Sequence, residues 1–414
     1  MSVAAAEGLI ELAVQSIAAG GDGVGRSEGL VVFVPRTAPG DVAMVNIESA
    51  KRFARGRLVS LITPSSQRVD PPCKHYRVDA CGGCQLQHIR YSAQLEAKQG
   101  IVRDSITRIA KRSVEIPKTR PSAREWRYRT KLTLAMKRSG EQWTMGLHPY
   151  DNPTGVFQLE DCPITDERVV AAWREIMDAV ASLPPSPELR GTVRLAGDEI
   201  VVLIRGGTIW ATDRAFFDAL PSASALWWAP GESAPRLLHE RRHAPAGTAF
   251  GQINAAVAQE LRAHVVDVVK THTPATVVDA YSGTGETATM LAAFGATVTA
   301  IELDREAAAL CASRLPPGSR SLVGRVESVL MSALPADVVI VNPPRAGLHE
   351  RVTATLERQR TRPRAIIYVS CDPATLARDV SRLPGYRIAS IATFDMFPQT
   401  AHVETVCELV PSAA

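Results

Sequence analysis

The 414-residue sequence predicts an α/β protein in three parts. These are a small N-terminal β-barrel, a mixed α/β middle region with a cysteine cluster, and a C-terminal doubly wound sheet. Three observations predict this. Residues 8–62 alternate apolar and polar positions between glycine turns, three cysteines fall within the twelve residues 73–84, and strands alternate with helices from about residue 246 onward.

Composition sets the frame. No apolar run reaches the length of a membrane span. The start, "MSVAAAEGLIELAV", carries no basic leader and has acids at Glu7 and Glu11. A cytoplasmic, monomeric protein with no membrane association is therefore expected. The net charge of +4 is unevenly spread: residues 1–150 hold 23 Lys and Arg against 13 Asp and Glu, and the remainder 24 against 30. Most of the excess lies in residues 51–138, where aromatics interleave with the basic residues, as in "EWRYRTK" (Trp126, Arg127, Tyr128, Arg129, Lys131). Such a stretch fits a phosphate-binding face or a solvated basic surface.

The N-terminal elements follow from turn chemistry. "GGDGVGR" and "TAPGD" are turns, and "LVVFVP" and "VAMVNI" are strands. Several short strands in about fifty residues predict a barrel. The polar connector "TPSSQRVDPP" follows. Residues 91–115 space Leu95, Ile101, Val102, Ile106 and Ile109 at roughly helical intervals. Between 125 and 245, strand-like stretches such as "RTKLTLAMK" and "GTVRLAGDEIVVLIRG" mix with the helical "ERVVAAWREIMDAVASL".

"CKHYRVDACGGCQLQH" presents Cys73, Cys81 and Cys84, and "EDCPIT" adds Cys162. The Cys-Gly-Gly-Cys run lets the backbone fold tightly around one metal centre. Four thiolates suit either zinc or an iron–sulfur cluster, and the spacing does not choose between them.

The most legible segment is "ATVVDAYSGTGETATMLAAFGATVTAIELDREA". A buried strand leads through a glycine turn, with Gly283 and Gly285, into a helix. A second strand ends at Glu302, 23 residues after Asp279, where a carboxylate can take ribose hydroxyls. The full GxGxxG spacing of a dinucleotide site is absent. The pattern resembles the S-adenosylmethionine site of class I methyltransferases.

A wider resemblance covers the chain. "GGDGVGR", "VVFVPRTAPGD" and "RGRLVSLITPSSQRVDPPC" look like the TRAM domain, an OB-like RNA-binding barrel. "CGGCQLQH" with the later "CP", "FGQIN", "DAYSGTG", "NPPRAGL", "YVSCDPATLARD" and "DMFPQTAHVETVCEL" match, in order, the motifs of the RNA uridine-5 methyltransferases. The resemblance implies that Cys73, Cys81, Cys84 and Cys162 hold a [4Fe–4S] cluster. It places Gln252, Tyr281, Glu286, Glu302 and Asn342 at the cofactor, with Asn342 standing where the family has aspartate. It makes Cys371 the nucleophile and Glu404 the base, acting on a uridine of rRNA or tRNA. The boundaries implied are 1–62 for the barrel, 63–245 for the middle domain and 246–414 for the methyltransferase domain.

The chemistry explains why a thiol stands where "IIYVS" opens into a loop. Uracil C5 is a poor nucleophile until a thiolate adds to C6, and a base must then remove the C5 proton. A cysteine, a carboxylate and a methyl sulfonium are needed in one pocket. Two other readings remain. Asn-Pro-Pro also occurs in N-methyltransferases, and a catalytically idle RNA-binding iron–sulfur protein would use the barrel and the basic face.

Overall fold

The structure, a computed structural model, describes residues 8–50, 52–242 and 252–412. Phe250 and Gly251 of "FGQIN", and the boundary expected at 245, lie outside the described residues.

Five strands, β1 (Leu9–Ile17), β2 (Gly23–Ser27), β3 (Leu30–Val34), β4 (Val42–Ala50) and β5 (Ala54–Thr63), close into a barrel in the order β1-β2-β3-β5-β4. Three register shifts between β4 and β5 supply the curvature that closure needs. Leu12, Val32, Val34, Ala43, Val45 and Ala54 fill the interior.

The middle sheet is built from β6 (Lys131–Ser139), β7 (Gln142–Gly146), β8 (Glu188–Ala196), β9 (Glu199–Arg205), β10 (Ala223–Ala229) and β11 (Arg236–Glu240), in the order β11-β10-β9-β8-β6-β7. "GTVRLAGDEIVVLIRG" is a hairpin that turns at Gly197, whose φ is +66°. The helix Glu167–Asp178 packs Trp173 into this sheet's core.

The C-terminal sheet runs β14 (Arg320–Val323), β13 (Thr297–Glu302), β12 (Thr276–Ala280), β15 (Val338–Val341), β16 (Ala365–Ser370), β18 (Glu404–Pro411), β17 (Tyr386–Phe394). The first five are mutually parallel, and β18 enters antiparallel between β16 and β17. β15 and β16 are buried at every position, as strands covered on both faces must be.

One segment lies elsewhere than the sequence suggested. The helix Tyr91–Ser105 and its π-helical continuation Ile106–Ala110 were expected in the middle region. Their Val102, Ile106 and Ala110 instead join the core of the C-terminal sheet, against Ile366, Leu376 and Val380. The helical spacing gives an apolar face but not its partner. Among the described residues no helix is long and apolar enough to cross a membrane.

Candidate active site

β12 and β15 are adjacent, while the chain moves outward from β12 in both directions. This reversal opens a crevice at their carboxyl ends, where such sheets bind ligands. Four of the expected residues line up along this edge: Tyr281 after β12, Glu302 closing β13, Asn342 after β15 and Cys371 after β16. The Asn342 N–H donates to the Ala280 carbonyl at 3.2 Å, so the ends of the two central strands are tied together.

The glycine turn is tight. The Gly285 N–H donates to the Ser282 carbonyl at 3.0 Å, and the Gly283 N–H donates to Glu302 Oε2 at 2.8 Å. A Cβ on Gly285 would lie 2.3 Å from Cys311 Sγ, and its φ is +79°, so only glycine fits. Tyr281 itself has a φ of +63°, a strained conformation for a bulky residue and a common mark of functional loops. Glu286 opens the next helix, and its carboxylate pairs with Arg262 at 2.8 Å. Asp279, one step before the strand end, was not assigned from the sequence. It is buried, its Oδ2 has no hydrogen-bond partner, and burial together with nearby Glu302 pushes its pKa up to about 7. An unsatisfied buried carboxylate beside a glycine cradle fits a cationic ligand, as the ammonium and sulfonium of S-adenosylmethionine require. Gln252 sits where the linker joins the sheets: the Thr130 N–H donates to the neighbouring Ile253 carbonyl at 3.0 Å. Asn254 then caps the helix Ala255–Thr271 and donates to Ser122 Oγ at 3.0 Å.

Beyond β16 the chain turns sharply. Ser370 Oγ donates to the Asp372 carbonyl at 3.0 Å, and Asp372 caps the helix Pro373–Ser381 by accepting the Thr375 N–H at 2.8 Å. This leaves Cys371 half-buried at the turn. Ser370 pairs with Thr405 across β16 and β18, so Cys371 and Glu404 each adjoin that pair. Burial, then the Glu404 charge, pushes the Cys371 thiol up, and Arg345 opposes both. Burial raises Glu404 to about 7, again against Arg345.

Arg345 therefore lies within electrostatic reach of both groups, a role the sequence left unassigned although "NPPRAGL" contains it. Its loop is fastened to the helix Pro373–Ser381. Thr375 Oγ1 donates to the Arg345 carbonyl at 3.2 Å, and Arg378 to that of Ala346 at 2.8 Å. The Leu348 N–H and the Tyr368 hydroxyl both donate to buried Asp379 Oδ2, at 2.7 and 2.8 Å.

Cys73, Cys81, Cys84 and Cys162 come together from two distant stretches around one cavity of about 160 Å³, which His75 and Arg129 also line. His75 secures the two stretches: its Nε2 accepts the Glu160 N–H at 3.0 Å and its Nδ1 meets Asp79 Oδ2 at 2.8 Å. Burial pushes Cys81 up to about 11 and raises Cys84 and Cys162 as well. Among the described residues no three His, Cys, Asp or Glu are grouped closely enough for a single ion.

The basic stretch is corrected in part. Tyr128 is only 6% exposed and its hydroxyl donates to the Pro398 carbonyl at 3.0 Å, so it is a core residue and no part of a basic surface. Arg127 binds both oxygens of Asp161 at 2.9 Å and donates to the Cys162 carbonyl at 3.0 Å. Lys98 is fully buried against Asp395. The sequence shows charge but not which charges are spent internally.

Comparison with known proteins agrees with this geometry. Residues 317–410 match the family described as tRNA (Uracil-5-)-methyltransferase. An RNA methyltransferase of Protochlamydia amoebophila is 31% identical over 97% of both chains. The 23S rRNA (uracil(1939)-C(5))-methyltransferase RlmD of Dechloromonas aromatica is 29% identical, over 93% of this chain and 95% of that one. The crystal structure of Pyrococcus abyssi tRNA (uracil-54, C5)-methyltransferase with S-adenosyl-L-homocysteine superposes with a TM-score of 0.70. It is 25% identical and covers 97% of this chain and 100% of that one. The class defined by the sheet and its crevice is that of the S-adenosylmethionine-dependent methyltransferases. Within it, the chain belongs to the RNA (uracil-5-)-methyltransferases and acts on RNA.

Proposed function

We propose that the enzyme methylates C5 of a uridine in rRNA or tRNA through a covalent bond between Cys371 Sγ and uracil C6. The observation that carries this is the convergence of Cys371 and Glu404 next to the Ser370–Thr405 pair of β16 and β18, close enough for the Glu404 charge to act on the thiol and for Arg345 to act on both. Addition of the Cys371 thiolate to C6 pushes an electron pair toward C5 and the C4 carbonyl. S-adenosylmethionine supplies the electrophilic methyl group that C5 takes up. Glu404 then accepts the C5 proton, the C5–C6 double bond re-forms and Cys371 leaves as thiolate. A carboxylate with a pKa of about 7 is matched to that proton transfer near neutral pH. Arg345 stabilises the thiolate and the developing negative charge. The ring face must be reachable, so the target nucleotide is unstacked or flipped into the crevice.

In this reading Gln252, Tyr281, Glu302 and Asn342 frame the cofactor, Asp279 offers its free oxygen to it, and Glu286 acts with Arg262. Cys73, Cys81, Cys84 and Cys162 hold a [4Fe–4S] cluster, and the barrel of residues 9–63 contributes to RNA binding as a TRAM-like module. The deciding experiment is incubation with RNA containing 5-fluorouridine and S-adenosylmethionine. A denaturation-resistant adduct that disappears in Cys371→Ala is the expected result. No adduct with an RNA that the enzyme methylates would refute the covalent route.

A further inference from the structure

β17 and β18 form a hairpin that closes at the Phe394–Glu404 pair, so residues 395–403 are its loop and Glu404 is the first residue after it. A loop of this length has many conformations of its own, and each would aim Glu404 differently. Here it is held at Gln399, which is 2% exposed and has a φ of +70°. That left-handed conformation is unfavourable for a non-glycine residue, and surrounding contacts must impose it.

The contacts are specific. Gln94 Nε2 donates to Gln399 Oε1 at 2.9 Å, and the Gln399 N–H donates to Gln94 Oε1 at 3.0 Å. The Gln399 carbonyl accepts the N–H groups of Gln85 and Leu86 at 3.1 and 3.0 Å, the two residues that follow Cys84. Around it, Lys98 donates to the Phe397 carbonyl at 3.0 Å and the Ala401 N–H to Gln85 Oε1 at 3.4 Å. The barrel closes on the same point, since a Cβ on Gly21 would lie 2.4 Å from Gln85 Cβ and 3.3 Å from Ala401 Cβ.

We propose that Gln399 is a positioning residue for methyl transfer: clamped by Gln94 and by the backbone that follows Cys84, it fixes the loop that aims Glu404 and so couples the cysteine segment to the base. This rests on Glu404 being the base. Glycine would relieve the strained φ and keep the backbone N–H bond to Gln94 Oε1, but it would lose the Gln94 Nε2 bond to the Gln399 side chain, so that side-chain bond is what Gln399→Gly tests.

The test uses the full-length enzyme, an RNA transcript it methylates, and the variants Gln399→Ala, Gln399→Gly and Gln94→Ala. Each should lower kcat by about 10- to 100-fold, the scale of a misplaced catalytic group, with KM for S-adenosylmethionine unchanged. The steady-state fraction of enzyme covalently bound to ordinary uridine RNA should rise, because attack continues while proton removal slows. Hydrogen exchange read by mass spectrometry should speed up together at 85–86 and 399–403 in Gln94→Ala, and stay unchanged in β12 and β13. Wild-type kcat in Gln399→Ala, adduct and turnover falling together, or unaltered exchange at 399–403 would each overturn the proposal. If neither the wild type nor Glu404→Gln forms any adduct, the covalent reading fails instead, and the exchange measurement still decides the coupling.

Discussion

Cys371 and Glu404 each adjoin the Ser370–Thr405 pair, where an inserted antiparallel strand meets the last parallel one, and the Glu404 charge acts on the Cys371 thiol. They are 33 positions apart in the chain. The fold brings a half-buried thiol and a buried carboxylate to the same edge, and Arg345 lies close enough to pull both toward their charged forms. Glu404→Gln removes the base and leaves the nucleophile. Turnover should fall by about 10²- to 10⁴-fold, while the RNA adduct still forms and persists. Single-turnover gels with labelled RNA read both quantities, and normal release in this variant would assign the proton to another group.

Glu404 also links stability to pH. Its folded pKa of about 7 is above the ordinary value of 4.5, so between those values the folded chain binds more protons than the unfolded one. Its contribution is fully present below about 4.5 and is lost as the pH rises through 7. The gap corresponds to roughly 3 kcal/mol at most. Glu404→Gln should therefore be more stable than the wild type at pH 8, and the difference should shrink toward pH 4.5. Thermal melts across this range check it; a pH-independent difference would mean that burial does not perturb the carboxyl.

Asp279 and Gly285 test the cofactor crevice. Asp279→Asn removes the charge of the free buried oxygen and should weaken S-adenosylmethionine binding by about tenfold or more, the scale of one lost charged hydrogen bond. Gly285→Ala should destabilise the domain by about 1–3 kcal/mol, because the new Cβ meets Cys311 Sγ and the φ is left-handed. Adding Cys311→Ala should recover only a fraction of the steric cost, because the Cβ of residue 311 would still lie 2.8 Å from the new one. Calorimetric titration and denaturant melts separate the two effects.

Anaerobically purified protein should carry about four iron atoms per chain, as four cysteine ligands of this kind hold. Serine at Cys73, Cys81, Cys84 or Cys162 should abolish it. Chelation of the iron should loosen the cysteine segment before it affects the sheet of β12–β16. One zinc per chain without iron or sulfide would reassign the site.

Arg127→Ala should leave the salt dependence of RNA affinity unchanged, because Arg127 is already bound to Asp161 and to the Cys162 carbonyl. It should instead lower thermal stability. A phosphate contact would reduce the slope by about one unit, and anisotropy titrations over a salt series distinguish the two.

The sequence by itself determined the elements and the class of enzyme. Period-two alternation and glycine turns give the barrel, and alternating apolar strands and helices give the doubly wound sheet, because local backbone preference and burial are written at short range. The positions of Cys371 and Glu302 at strand ends were legible for the same reason, since each follows a local apolar run. Only the tertiary structure decided what meets what. It turned Tyr128 inward, spent Arg127 and Lys98 on internal carboxylates, moved the helix Tyr91–Ser105 to the C-terminal core, brought Arg345 within electrostatic reach of Glu404, left an Asp279 oxygen buried without a partner and joined Gln399 to Gln94. Those outcomes depend on burial and on distant partners, such as Gln94 and Gln399, 305 positions apart, which no local periodicity encodes.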